Sequence, residues 1–528
     1  MEMTSQLLPF PEKYRSIDRR YRFTSRGDGE SMMCKYPYYG EDEHWRFVHR
    51  RVYEDHIVQL PSSFSLVKGV ALPEVVIRTI FKYVHPIDLI GGVSKCCRRW
   101  NRLATIGALY RDLRVIIVDQ HSSSSARRFL DKVSNDVRRL SIDFGNGVTQ
   151  TVLAESFPER MINVTHLDIG IFLELSDIVA TKIVNCFPNL EVLNMGRTGE
   201  AQVMPMFSED AFPRIRRLIL GHLENFCDAR GNFVKDFVER LWVWRRPLTS
   251  ILLRGFQITN FEGLKNAPFK LALSELHLEA HIGPGVFDAI SNLVNLTIFT
   301  LNPIGFWSTE AISRLKVLAK LEHLHLRNDA GNNNDASNIS AVTRLLQSPV
   351  HDADRFFPCR LRHLCLSNFR YLGSKTVNEI VKSCPQLQSL GIAGSRSLRE
   401  EDIHKLIKRL QNLRFLDLSD INVATWNEVM LNENDLPNLR FLMLHFVPID
   451  METLEKFNLK RPEVIISAHP DHFINWNMLD GKVVFNSHFD GDINAVLNDL
   501  DNEPGFCCMS RFLCRNENDF DCDDVDDF

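Results

Sequence analysis

"LRHLCLSNFRYLGSKTVNEIVKSCPQLQSLGI", Leu361 to Ile392, decides the fold. It opens and closes on one hexad, apolar-x-x-apolar-x-apolar, as "LRHLCL" and "LQSLGI", with a helix-like stretch between them. The last two apolar residues of each hexad are two apart, so they share one face of a strand. Outward from this stretch the hexad keeps returning. It starts at Val137, Val164, Leu190, Ile215, Leu248, Leu273, Leu296, Leu321, Leu361, Leu387, Leu413 and Leu439. The successive steps are 27, 26, 25, 33, 25, 23, 25, 40, 26, 26 and 26 residues, and "LRVIIV" at Leu113 adds one more strand 24 residues before the first.

Further helix-like stretches, such as "DAISNLVNL" and "EEDIHKLIKRLQNL", fill the intervals. One strand and one helix cannot bury themselves. Three core leucines gain roughly 5–8 kcal/mol gross by burial, and ordering about 26 residues costs several times that. Only the stacked array is stable. The expected fold is therefore an α/β solenoid with parallel strands on the inside of a curve and helices outside. "NCFPNLEVL" (Cys186, Pro188, Leu190) and "SCPQLQSL" (Cys384, Pro385, Leu387) carry a Cys-Pro-x-Leu element. The array resembles the leucine-rich-repeat family, of the ribonuclease-inhibitor-like, cysteine-containing kind, which implies a horseshoe. One departure stands out: the position often held by Asn or Cys is Leu223, Phe256, Ile304, Phe369 and Ile421, so the turns are expected to be pinned by apolar packing. Of the two long steps, the 40-residue one holds "RNDAGNNNDASN", Arg327 to Asn338, which reads as an exposed loop. The 33-residue one holds "LENFCDARGNF", an enlarged loop or an extra helical turn.

Bulk composition bounds the rest. The chain has 528 residues, with 44% apolar and 24% charged side chains and a net charge of −5. No apolar run is long enough for a membrane span, and "MEMTSQLLPFPEKYRSIDRRYRF" lacks a signal-peptide pattern. A reducing compartment, cytoplasmic or nuclear, is expected, with the twelve cysteines mostly small apolar core residues. From Asp499 to Phe528 there are ten acidic and two basic residues, leaving the remainder at −5 − (−8) = +3. That charge shows no basic stripe, so no nucleic-acid partner is expected, and the tail reads as a solvated, disordered end.

Ahead of the repeats lies "ALPEVVIRTIFKYVHPIDLIGGVSKCCRRW", Ala71 to Trp100. Pro73 suits a first helical turn, and Val76, Ile77, Ile80, Phe81 and Val84 recur at helical spacing. Asp88 reads as a cap for the next helix. Val93, Cys97, Trp100, Leu103 and Ala104 form a further stripe, with Gly91 and Gly92 softening it by roughly 1 kcal/mol each. A helical unit of about forty residues buries little surface and needs a partner, the array, or both. Leu72-Pro73, Ile80-Phe81, Asp88-Leu89 and Cys96-Cys97-Arg98-Arg99-Trp100 resemble the F-box, with Tyr110 in an aromatic place often held by Trp. The resemblance implies docking on the Skp-type linker of a cullin–RING ubiquitin ligase, with the repeats holding a protein substrate for ubiquitination and proteasomal degradation. Leu72, Pro73, Ile80, Phe81, Asp88, Leu89, Val93 and Trp100 would be its linker-facing or docking-fold positions. The alternative is a repeat scaffold whose F-box-like segment only caps the solenoid. The expected domains are an N-terminal extension over 1–69, partly disordered, the F-box over 70–113, repeats over 113–468 and a C-terminal segment over 469–528 ending in the acidic tail.

No phosphate loop, His-Glu-x-x-His or Cys-x-x-Cys is present, so no catalytic role and no cofactor are expected. The spacing of "CCMSRFLC" is too loose for zinc. Substrate contacts are expected from residues two, four and six after each hexad start, on the concave face: Glu275, His277, His323, His325, Arg327, His363, Phe415, Phe441 and Met443. No acidic second shell stands behind the histidines, so no metal is expected, and a pH-sensitive polar contact is expected instead. Phe415, Phe441 and Met443 are apolar where solvent is expected: either they form an interaction surface or segment 469–528 folds back over them.

Overall fold

The computed structural model describes residues 21–23 and, with interruptions, 73–487; the longer interruptions are 223–231, 304–310, 329–334, 348–356, 422–434 and 468–473. The expectations about the N-terminal extension apart from residues 21–23, and those about Leu72, Asp88, Leu223, Ile304 and the acidic tail, lie outside the described residues. Two compact units form, one of Ile17–Thr165 with Asn185–Phe187, the other of the remaining chain.

The first unit carries a helix α1, Glu74–Phe81, in which Pro73 holds the N-cap position and only Ile77 and Phe81 are buried. Gly91 and Gly92 do more than soften the second helix. Leu89–Val93 widens into a π-helical turn, followed by α2, Ser94–Cys96, and α3, Arg98–Ala104. Cys97 breaks α2 from α3 with an extended backbone, and its sulfur accepts the Trp100 N–H at 3.4 Å. The cap of this last helix is therefore a thiol. Tyr110 is buried, donates to the Ala104 carbonyl at 2.7 Å and meets Phe129 edge to face. Strands β1 (Tyr21–Phe23), β2 (Asp112–Ile117) and β3 (Arg139–Phe144) pair in parallel.

The second unit is the repeat array, an α/β solenoid. Its parallel strands run in chain order from β4 (His166–Ile169) through β6 (Val192–Ala201) to β16 (Ile465–Ser467), with β5 (Phe172–Leu175) pairing beside β6. The hexad explains the register. Its first, fourth and sixth residues, for example Leu273, Leu276 and Leu278, or Leu321, Leu324 and Leu326, are buried in the core. Its second residue is locked to the same position of the repeat before: Glu322 N–H to Thr297 O at 2.9 Å, Arg362 to Glu322 at 2.9 Å, Gln388 to Arg362 and Arg414 to Gln388 at 2.7 Å, and Arg440 to Arg414 at 2.8 Å. Each such bond satisfies two backbone groups that burial would otherwise orphan.

Helices or 3₁₀ turns link most strands, among them Asp335–Leu346, Ser374–Ser383 and Glu400–Arg409. The first of these begins inside the stretch expected to be a loop. Asn338 is a buried helical residue whose side-chain amide faces Asn328 at 3.4 Å, so part of the insertion is core. Cys186 and Cys384 are fully buried, and burial raises the Cys384 thiol far above its ordinary range. Phe256, Phe369 and Ile421 are likewise buried, at the positions where the asparagine ladder is missing. Just before two of them the chain takes a left-handed residue at a fixed interval: Asn368 (φ 62°), Gly394 (φ 74°), Asp420 (φ 51°) and Phe446 (φ 56°). Among the described residues, no helix is long and apolar enough to cross a membrane.

Candidate docking face and inner strand face

In α1 the apolar spacing splits into two faces. Ile77 and Phe81 point inward, while Val75, Val76 and Ile80 are exposed, Val75 by 71%. Val76 and Ile80 are one turn apart and share a side of the helix. Trp100 on α3 is 37% exposed and meets Phe81 edge to face at 5.8 Å. Glu74 ties the two helices together by pairing with Arg102. Of the expected docking positions, Pro73, Ile80 and Trp100 thus lie at the surface, Val93 is half-buried, and Phe81 and Leu89 belong to the module's own core. Sequence periodicity did not single out Val75, because it stands off the i, i+4 stripe.

On the strands, in-register pairing lines up the third hexad residues as Arg217, Ser250, Glu275, Ile298, His323, His363, Ser389, Phe415 and Phe441. The fifth residues line up beside them, among them His277, Thr300, His325, Cys365, Gly391, Asp417 and Met443. The concave residues expected to meet solvent mostly do not. His277, His323, His325, Phe415, Phe441 and Met443 are buried, at 7% exposure or less, and only Glu275, Arg327 and His363 remain half-buried. The cause is register: identical positions on neighbouring strands stand about 4.8 Å apart, so each side chain walls the flank of the next. Phe415 and Phe441 stack at 5.6 Å with planes 19° apart, and Ile465 follows in the same row.

The polar part of this face is internally paired. The Arg217 guanidinium donates to Ser250 Oγ at 3.2 Å and to Glu275 Oε2 at 2.7 Å. Arg254 and Glu279 pair at 3.3 Å. His277 Nδ1 lies 3.0 Å from Thr300 Oγ1, and His363 Nδ1 lies 2.8 Å from Ser389 Oγ. Burial holds all four histidines well below their ordinary pKa: His277, His325 and His363 at about 3, His323 at about 4. Arg217 adds to the shift at His277, and the neighbouring His323 adds to it at His363. They are neutral at physiological pH, which overturns the expectation of a pH-sensitive contact near neutrality. Burial also pushes the Cys365 thiol to about 12, with Ser367 Oγ 2.9 Å away, which disfavours the thiolate. Among the described residues, no group of three or more His, Cys, Asp or Glu is arranged to hold a metal ion. Arg217, Ser250 and Ser389 were missed in the sequence, although each occupies the third hexad position.

Residues 70–115 match the F-box-like family. No curated protein matches the chain. Among solved structures it is similar to an internalin, InlF, from Listeria monocytogenes, at 15% identity and a TM-score of 0.37, over 68% of this chain and 93% of that one. It is also similar to a leucine-rich-repeat protein from Leptospira interrogans, at 14% identity and a TM-score of 0.31, over 64% of this chain and 91% of that one. A third is the yeast complex of Rad7 and Elc1, at 14% identity and a TM-score of 0.34, over 80% and 92%. The register of the parallel strands and the matched segment define the class: a leucine-rich-repeat solenoid carrying an F-box-like segment ahead of it.

Proposed function

We propose that this chain is the substrate-recognition adaptor of a cullin–RING ubiquitin ligase. Its F-box-like segment docks on a Skp-type linker, and through it on a cullin, while the repeats hold a protein substrate. The work takes place in the cytoplasm or nucleus and leads to proteasomal degradation. The chain supplies no chemistry of its own; it raises the effective concentration of substrate beside an enzyme carried elsewhere in the assembly. The observation that carries this reading is the exposed apolar set Val75, Val76, Ile80 and Trp100 on a segment of so few residues. A small module leaves such side chains outside when a partner covers them. For the substrate, Glu275, Arg327 and His363 are the expected contacts that retain solvent access.

A second reading, in which the segment only caps the repeats, draws on one observation: residues 74–104 fall in the same compact unit as β2 and β3. One experiment separates the two. The full chain, alone and as Val76→Glu and Ile80→Glu, is passed over an immobilised Skp-type linker while its thermal unfolding is followed. The ligase reading expects capture of the wild type, loss of capture in both variants and unchanged unfolding. Absence of capture by a folded wild type would sink it.

A further inference from the structure

The residues just before β12 (His363–Ser367), β13 (Ser389–Gly391), β14 (Phe415–Asp417) and β15 (Phe441–Met443) enclose a groove of about 400 Å³. Its lining is Arg362, Gln386, Gln388, Asn412, Arg414 and Asn438: two guanidiniums, four carboxamides and no carboxylate. It lies beside the inner strand face and shares none of its residues.

The floor is rigid. Arg362, Gln388 and Arg414 are joined strand to strand by main-chain hydrogen bonds of 2.7 Å, and Asn412 and Asn438 donate to the Pro385 and Gln411 carbonyls at 3.4 and 3.1 Å. The functional ends are less committed. Arg362 meets Glu322 only at 3.8 Å, with its side chain half in solvent. Among the described residues, the side chains of Gln386, Gln388 and Arg414 make no hydrogen bond or ion pair. Three repeats in succession, at Arg362, at Gln386 and Gln388, and at Arg414, therefore present donors to solvent where other parts of the same surface are paired.

We propose that this groove binds an extended acidic peptide of a partner protein. Charge complementarity selects the sign: an arginine fork pairs with carboxylates, and the lining holds two positive charges and no negative one. Spacing selects the shape. Arg362 and Arg414 stand two strands apart, about 10 Å, so one small anion does not bridge them; a chain extended as polyproline II advances about 3.1 Å per residue with three residues per turn, which brings acidic side chains three apart, on one side of the chain, to the two guanidiniums. The carboxamides between them both donate and accept, which matches the N–H and C=O groups of an extended backbone. The inference is independent of whether the F-box-like segment docks on a linker.

The test uses the full chain and a fluorescein-labelled eight-residue peptide with Glu at two positions three apart, followed by anisotropy at 50 and 300 mM salt. The expected result is saturable binding that weakens at least tenfold when both Glu become Gln. Arg362→Ala/Arg414→Ala should weaken it at least tenfold, Gln388→Ala severalfold, and exposed Lys382→Ala not at all, with circular dichroism and melting unchanged throughout. Equal binding of the Gln peptide, or no response to the arginine pair, overturns the proposal. So does displacement by inorganic phosphate at the peptide's own concentration, which would mark a simple anion site. Binding that emerges only after removal of residues 499–528 overturns it as well, by assigning the groove to the chain's own acidic tail.

Discussion

The imidazole rings of His323 and His363 stack face to face, 4.2 Å between centroids and 10° between planes. They flank the longest interval between hexads, 40 residues, yet sit directly opposite in register. The extra residues are accommodated away from the strand pairing, partly in the helix Asp335–Leu346.

Two charged rings at this distance would repel, and together with burial this sets a pH dependence. The four histidines, three of them buried and His363 half-buried, are depressed from 6.5 to about 3 or 4. Above pH 6.5 they are neutral in both the folded and unfolded chain and contribute nothing. Between 6.5 and about 4 the unfolded chain takes up protons that the folded chain refuses, so stability falls as pH drops through that window. Each histidine contributes a slope of about 1.4 kcal/mol per pH unit when fully engaged. Urea midpoints measured from pH 7.5 to 4.5 should decline, and His325→Gln should decline less steeply. Parallel curves for the two proteins would refute the assignment.

The Arg217–Glu275 pair makes a second prediction. Its side chains are 10% and 15% exposed, and Ser250 shares the guanidinium. Removing one partner leaves a largely buried charge, so Arg217→Met should destabilise the array by about 3 kcal/mol. Arg217→Met/Glu275→Leu should recover most of that loss, because no charge remains unpaired. A double-mutant cycle in denaturant reads the coupling; additive losses would mean the pair is not a unit.

The left-handed positions after the strands make a third. A Cβ at Gly394 would lie 2.7 Å from Asn368 Oδ1 and 3.1 Å from its Cα, and the φ of +74° already disfavours any side chain. Gly394→Ala should cost about 1–2 kcal/mol. Thermal unfolding checks it, with exposed Lys382→Ala as the neutral comparison.

The strand positions were legible in the sequence because the hexad is a backbone rule: leucines at fixed offsets face the core whatever the rest of the repeat does. The inner face was not legible in the same way. Alternation shows that His277 and Phe415 point away from the leucine core, but not that neighbours in register bury them. Burial there is a property of the row rather than of one strand, and so is the pairing of Arg217 with Glu275, 58 positions later. The left-handed turns were equally hidden. Asn368 and Gly394 suit such a backbone, but Phe446 in the same position does not signal it. The groove at Arg362 and Arg414 escaped because its residues come one or two at a time from repeats 26 residues apart.

In the F-box-like segment, Ile80 and Phe81 are adjacent in sequence and opposite in role. Phe81 is 3% exposed and packs on Trp100; Ile80 is 47% exposed. Phe81→Ala should cost the module about 3 kcal/mol through the cavity it leaves, and Ile80→Ala should stay within about 0.5 kcal/mol. Hydrogen exchange of the amides of residues 77–81 in the full chain reads the local difference without requiring the segment to fold alone. Protection should collapse in Phe81→Ala and hold in Ile80→Ala. Linker capture should fail in both, for different reasons: the first has lost the fold that presents the face, the second one side chain of the face itself. Loss of protection in Ile80→Ala would mean that its exposed side chain serves folding, and the docking face would lose its central residue.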